Sequence, residues 1–144
     1  MADRPADCPE RDTLSAGETA QILRVPHVLI VDDDLLVSSV RRLLRSEFSI
    51  DGKSRAVEAL ALLETNDDYD ALVLDVDDAS DRDAYGVLLR DASRARRIIF
   101  LTSATDPRTE EFLASSGRPW LAKPFAAKEL EVELRRVVGE HLAG

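Results

Sequence analysis

DALVLDVDDASD, residues 70–81, carries an apolar run of strand length straight into Asp75, Asp77, Asp78 and Asp81. A short apolar run without polar alternation is the pattern of a strand covered on both faces, as in parallel sheets. HVLIV (27–31) and RIIFLT (97–102) share that texture, WLAK (120–123) is a shorter version, and FSID (48–51) is weaker. Between them lie segments of helical period. The first carries Leu36, Val40, Leu43 and Leu44 on one face, with Asp34 as its cap. The second is opened by Ser54 and carries Val57, Leu60, Ala61 and Leu63. A third lies around residues 84–92, a fourth is introduced by Asp106 and Pro107, and a last is striped by Leu130, Leu134, Val137, Val138 and Leu142. Strands alternating with helices require crossover connections, and right-handed crossovers cover both faces of a parallel sheet. The expected fold class is α/β, a doubly wound sandwich of five parallel strands.

At 144 residues, 44% hydrophobic and 33% charged, the chain suits one domain with a substantial core. Residues 1–25 are expected to be a disordered N-terminal tail, with a short helix conceivable over 14–23, and residues 26–144 to form the domain. The 28 acidic residues outnumber 19 basic ones, a net charge of −9, which argues against a nucleic-acid partner. Cys8 is the only cysteine, so no intrachain disulfide or thiolate cluster forms. No apolar run has membrane-spanning length and no secretory signal is visible, so the expected location is cytoplasmic, with no membrane partner.

Open α/β sheets place their sites at the carboxyl ends of the strands, beside the switch in strand order. The first polar residues beyond the apolar runs are Asp32, Asp33 and Asp34, then Asp75, Thr102 and Lys123. Several carboxylates in one crevice repel unless a divalent cation and an ammonium offset them. Mg2+ suits Asp33 and Asp75, while Lys123 and Thr102 supply donors for a phosphoryl group. A carboxylate so placed is a candidate nucleophile on phosphorus. Asp78, Asp81 and Asp83 read as a solvated loop, and His27 and His141 receive no role.

In this order and spacing, VLIVDDD (28–34), ALVLD (71–75), IIFLTS (98–103) and LAKPF (121–125) resemble the receiver domain of two-component response regulators over about residues 27–142. The resemblance implies a CheY-like, flavodoxin-like (βα)5 three-layer sandwich with strand order 2-1-3-4-5. It implies that Asp75 accepts a phosphoryl group from a histidine kinase or phosphotransfer protein. Lys123 and Thr102 would assist, and Mg2+ would be held by the acidic pair Asp32 and Asp33, by Asp75 and by the carbonyl of Asp77. Thr102 and Trp120, the latter where the family carries Tyr or Phe, would form the conformational switch toward a downstream protein target. Trp120 reads equally well as plain packing. The resemblance also allows a homodimer through the last two helices and the fifth strand. Such a chain is no enzyme beyond self-phosphotransfer and autodephosphorylation. It is expected to be a single-domain regulator or a receiver excised from a larger protein such as a hybrid kinase. Asp77, two positions beyond the phosphoacceptor, is expected to orient an attacking water.

Two departures stand out. The proline usual four residues after the phosphoacceptor is Ala79, which points to a remodelled loop, and the stretch around Gly117 looks trimmed. They motivate an alternative, a phosphorylation-independent pseudo-receiver acting as a protein-interaction module. A haloacid-dehalogenase-like phosphatase shares the D-x-D opening at Asp75, but its metal-binding acidic pair follows the lysine in sequence, whereas here it precedes Asp75. An EF-hand loop starting at Asp75 would need Gly in place of Ser80 and Glu in place of Gly86.

Overall fold

The computed structural model describes residues 25–104 and 106–143. The tail, its suggested helix at 14–23 and Cys8 lie outside the described residues. In chain order the elements are β1 (His27–Val31), α1 (Asp34–Leu44), β2 (Ser49–Lys53), α2 (Ala56–Thr65), β3 (Ala71–Asp75), α3 (Ala79–Leu89), α4 (Ala92–Ala95), β4 (Ile98–Thr102), α5 (Pro107–Ser116), β5 (Trp120–Ala122) and α6 (Ala127–Ala143). The strands pair in parallel in the order β2-β1-β3-β4-β5, so the chain reverses its direction of travel across the sheet between β1 and β3. No described helix is long and apolar enough to cross a membrane.

Alternation of side chains along each strand divides the core in two. Val28, Ile30, Val73, Ile99 and Leu101 face Val37, Val40 and Leu44 of α1 and Leu130, Leu134, Val137 and Val138 of α6. Leu29, Val31, Leu72, Leu74, Ile98 and Phe100 face α2, α3 and α5 through Ala56, Ala59, Leu63, Tyr85, Leu88 and Leu113. Four helices begin at an aspartate whose carboxylate accepts a backbone N–H: Asp33 from Leu36, Asp78 from Ser80, Asp91 from Ser93 and Asp106 from Thr109. Capping and the helix dipole thus absorb part of the acidic excess.

Several helix details differ from expectation. Asp33, not Asp34, caps α1, and the buried face is Val37, Val40 and Leu44, with Leu43 60% exposed and Leu36 only partly covered. The α2 face is Ala56, Ala59 and Leu63, with Val57 turned to solvent, and the cap residue is Arg55 rather than Ser54. Ser54 instead donates its hydroxyl to Glu58, which also accepts the Arg55 N–H. Helix α3 starts at Ala79, well before residue 84, because Asp78 caps it, and it gives way to the separate turn α4. The loop after Asp75 is accordingly short. Leu142 lies outside the α6 stripe at 43% exposure. β2 runs two residues beyond FSID, through Gly52, where a Cβ would stand 2.5 Å from Val37 Cγ1. Glycine there lets α1 approach the sheet. At Gly117 a left-handed φ of 68° ends α5 and turns the chain into β5.

Candidate functional site

The carboxyl ends of β1 and β3 flank the topological reversal, and the acidic residues meet there. Asp32, Asp33, Asp75, Asp77 and Lys123 line one cleft of about 420 Å³ together with Ser54, Arg55, Asp78, Asp81 and Ser103. Asp32 is buried; its Oδ1 accepts the Asp33 N–H at 2.7 Å and its Oδ2 lies 2.7 Å from Lys123 Nζ. The same ammonium is 3.7 Å from Asp75 Oδ1. Lys123 therefore bridges the two carboxylates but sits closer to Asp32. Its placement follows from the sequence that ends β5, since the Lys123 N–H donates to the Thr102 carbonyl at 2.7 Å.

Burial first, and then the Asp32 charge, push the Asp75 carboxyl up to about 6, despite the attraction of Lys123 and the N–H of Asp77. Lys123 moves upward too: burial alone would lower it, but the Asp32 hydrogen bond and the neighbouring carboxylates outweigh that cost. One ammonium thus leaves the crevice short of positive charge.

Asp77 behaves differently. Burial would raise its carboxyl, yet the hydroxyls of Thr102 and Ser103 and the Ser103 N–H hold it down at about 2. Thr102 Oγ1 donates to its Oδ1 at 2.6 Å, Ser103 Oγ to its Oδ2 at 2.7 Å, and the N–H of Ser103 to Oδ2 at 3.0 Å. Both oxygens are turned to the end of β4, rather than over Asp75 where a water-orienting role would put them.

The Thr102 hydroxyl meets the site at Asp77, and Trp120 lies apart from it, 48% exposed on the edge strand β5. The supposed solvated loop is structured: Asp78 caps α3, and the buried Asp81 lies 3.4 Å from Arg55 Nε and accepts the Ala56 N–H at 3.3 Å. Only Asp83 of that group is exposed without such a role. Arg55 escapes sequence reasoning because β2 is weak in the sequence and its carboxyl end is not counted among the strand ends. The histidines also have partners at the opposite end of the sheet, where His27 Nε2 lies 2.8 Å from Asp51 Oδ2 and His141 Nε2 lies 3.7 Å from Asp70 Oδ1.

Among the described residues no three carboxylate, imidazole or thiolate groups stand close enough to enclose a metal ion on their own. Mg2+ does not require that, since it keeps several waters and takes one or two carboxylates. The under-compensated Asp75 and the cap Asp33, whose Oδ1 alone is engaged by Leu36, fit such a hydrated ion. Asp32, committed to Lys123 and buried, fits it less well.

No family model and no curated protein matches the chain. Solved structures do. A response regulator receiver protein from Burkholderia phymatum is 29% identical, with a TM-score of 0.60 over 79% of this chain and 95% of that one. The chemotaxis response regulator CheY4 of Vibrio cholerae is 25% identical, with a TM-score of 0.65 over 78% of this chain and 98% of its own. The signal receiver domain of an HD domain-containing protein from Pseudomonas fluorescens is 20% identical, with a TM-score of 0.72 over 84% and 100% respectively. With its parallel strands in the order 2-1-3-4-5, the chain has the fold of the CheY-like receiver domains of response regulators, an architecture that supports a role in two-component signalling.

Proposed function

We propose that the chain is a phosphorylatable receiver in which Asp75 takes a phosphoryl group from the phosphohistidine of a kinase or phosphotransfer protein and passes the change to a downstream protein. The observation that carries this reading is the half-buried Asp75 at the sheet's reversal point, with Lys123 Nζ 3.7 Å from its Oδ1 and a second carboxylate, Asp32, holding that ammonium in place. In the transfer an Asp75 oxygen bonds to phosphorus, the P–N bond breaks, and the imidazole leaves and takes up a proton. Lys123 stays charged and offsets the gathering negative charge without giving up its proton. Mg2+, held by Asp33, Asp75 and the Asp77 carbonyl, would supply further charge neutralisation. Asp32 positions Lys123. Thr102 is the hydroxyl that would report the phosphoryl group, and Trp120 the aromatic that would move with it.

Intact-mass spectrometry with acetyl phosphate, with and without Mg2+, tests the reading. One phosphoryl group is expected on the wild type in Mg2+, and none on Asp75→Asn. An unmodified wild type favours the pseudo-receiver, an interaction module that keeps the fold without the chemistry. Continued incorporation by Asp75→Asn moves the acceptor elsewhere.

A further inference from the structure

The end of β4 presents two hydroxyls and two backbone N–H groups to one side. Both hydroxyls and the Ser103 N–H are directed at a single carboxylate, that of Asp77, while the Ala104 N–H donates to Thr102 Oγ1 at 2.9 Å and lies 3.4 Å from Asp77 Oδ1. Converging hydroxyl and amide donors are what a protein uses to receive an oxyanion. The hydroxyl contacts, at 2.6 and 2.7 Å, are in the short range of charge-assisted bonds. Asp77 is tied to Asp75 as well, its N–H donating to Asp75 Oδ1 at 3.2 Å.

We propose that the Asp77 side chain is the resident occupant of the phosphoryl-binding donors of β4, so that residues 102–104 are held in an oxyanion-bound arrangement before any phosphoryl group arrives, and Asp77 must swing away for one to be received. The inference deepens the phosphoacceptor reading of Asp75 and rests on it. The physical argument is one of proton count. A hydroxyl carries a single proton, so Thr102 donates either to Asp77 or to a phosphoryl oxygen, never to both, and the same holds for Ser103. A phosphoryl group on Asp75 would also bring added negative charge beside the Asp77 carboxylate, which repels it. Asp77 is therefore a positioning residue with a cost to phosphorylation: it pre-sets the loop and competes for its donors.

Asp77→Ala and Asp77→Asn, made in the full chain, separate this role from a purely structural one. Amide hydrogen exchange without any phosphodonor should show Ser103 exchanging about tenfold faster in Asp77→Ala, the scale of a lost local protection. Leu72 and Phe100 in the sheet, as internal references, should be unchanged. Asp77→Asn, which keeps an acceptor for Thr102 but loses the charge, should fall between. With acetyl phosphate and Mg2+, Asp77→Ala should incorporate a phosphoryl group several-fold faster than wild type. Unchanged protection of Ser103 overturns the clamp, and incorporation that is equal or slower in a protein whose loop has loosened overturns the competition. If neither wild type nor variant is modified, the phosphoacceptor reading of Asp75 fails, and the competition built on it falls with it.

Discussion

Replacing Asp75 by Asn should stabilise the folded protein. Asp75 titrates near 6 in the fold against an ordinary 3.8, because burial and the Asp32 charge disfavour its ionised form. A carboxyl raised in this way contributes stability that is fully present below its unfolded value and lost as pH rises through its folded one. The separation of about two units corresponds to about 3 kcal/mol at pH 8. Its side chain is only 25% exposed, so solvent screening takes little from that figure. Lys123 keeps its nearer partner Asp32 in the variant, so little is lost on that side. In EDTA, Asp75→Asn should therefore raise the unfolding free energy by about 2–3 kcal/mol at pH 8, by about half of that at pH 5, and hardly at all near pH 3.5. Urea titrations followed by far-UV circular dichroism and by Trp120, the only tryptophan, measure both values. Adding Mg2+ should narrow the gap by stabilising the wild type, since an ion that binds the folded state raises its stability by mass action. A variant no more stable than wild type at pH 8, or a gap independent of pH, would refute the reasoning.

Three further outcomes are expected. Lys123→Ala leaves the buried Asp32 without its counter-charge and should cost about 3 kcal/mol by urea unfolding at pH 7; it should also flatten the Trp120 fluorescence response to acetyl phosphate. Gly52→Ala drives a methyl into Val37 and should cost about 1–3 kcal/mol, with Val37→Ala in the same chain restoring part of it, as a double-mutant cycle will show. Leu134→Ala should cost about 2–5 kcal/mol, whereas Leu142→Ala, half-way into solvent, should stay within about 0.5 kcal/mol, both by thermal unfolding.

The strands and the site were far more legible in the sequence than the helix faces. β1, β3 and β4 are buried on both sides, so their apolar runs have no competing reading, and the first polar residues of β1 and β3 fall at the reversal point by topology alone. Helix faces were misjudged where apolar residues also occupy the surface: Leu35, Leu43 and Val57 are 82, 60 and 68% exposed, which blurs the period on which the choice of face depends. Asp78 and Asp81 were read as solvated because a run of aspartates looks like a loop; only the docking of α3 against the start of α2 shows Asp81 satisfied by Arg55 and Ala56. The direction of the Asp77 side chain was beyond sequence reasoning, since it depends on where two hydroxyls at the end of a different strand come to lie.

The division of the core between two sets of helices bears on the order in which the chain gains its structure. One face of the sheet is covered by α2, α3 and α5, whose residues are interleaved in sequence with the strands they cover. The other face waits for α6, whose Leu130, Leu134, Val137 and Val138 meet Val28 and Ile30 from the far end of the described chain. Contacts of such long sequence separation are slow to form. A nascent chain that has reached β5 would thus hold Val28, Ile30, Val73, Ile99 and Leu101 on a surface shielded by α1 alone. Emergence of residues 127–143 from the ribosome is the step that seals it, and the interval before that step is when the chain is most exposed to aggregation and has most need of a chaperone.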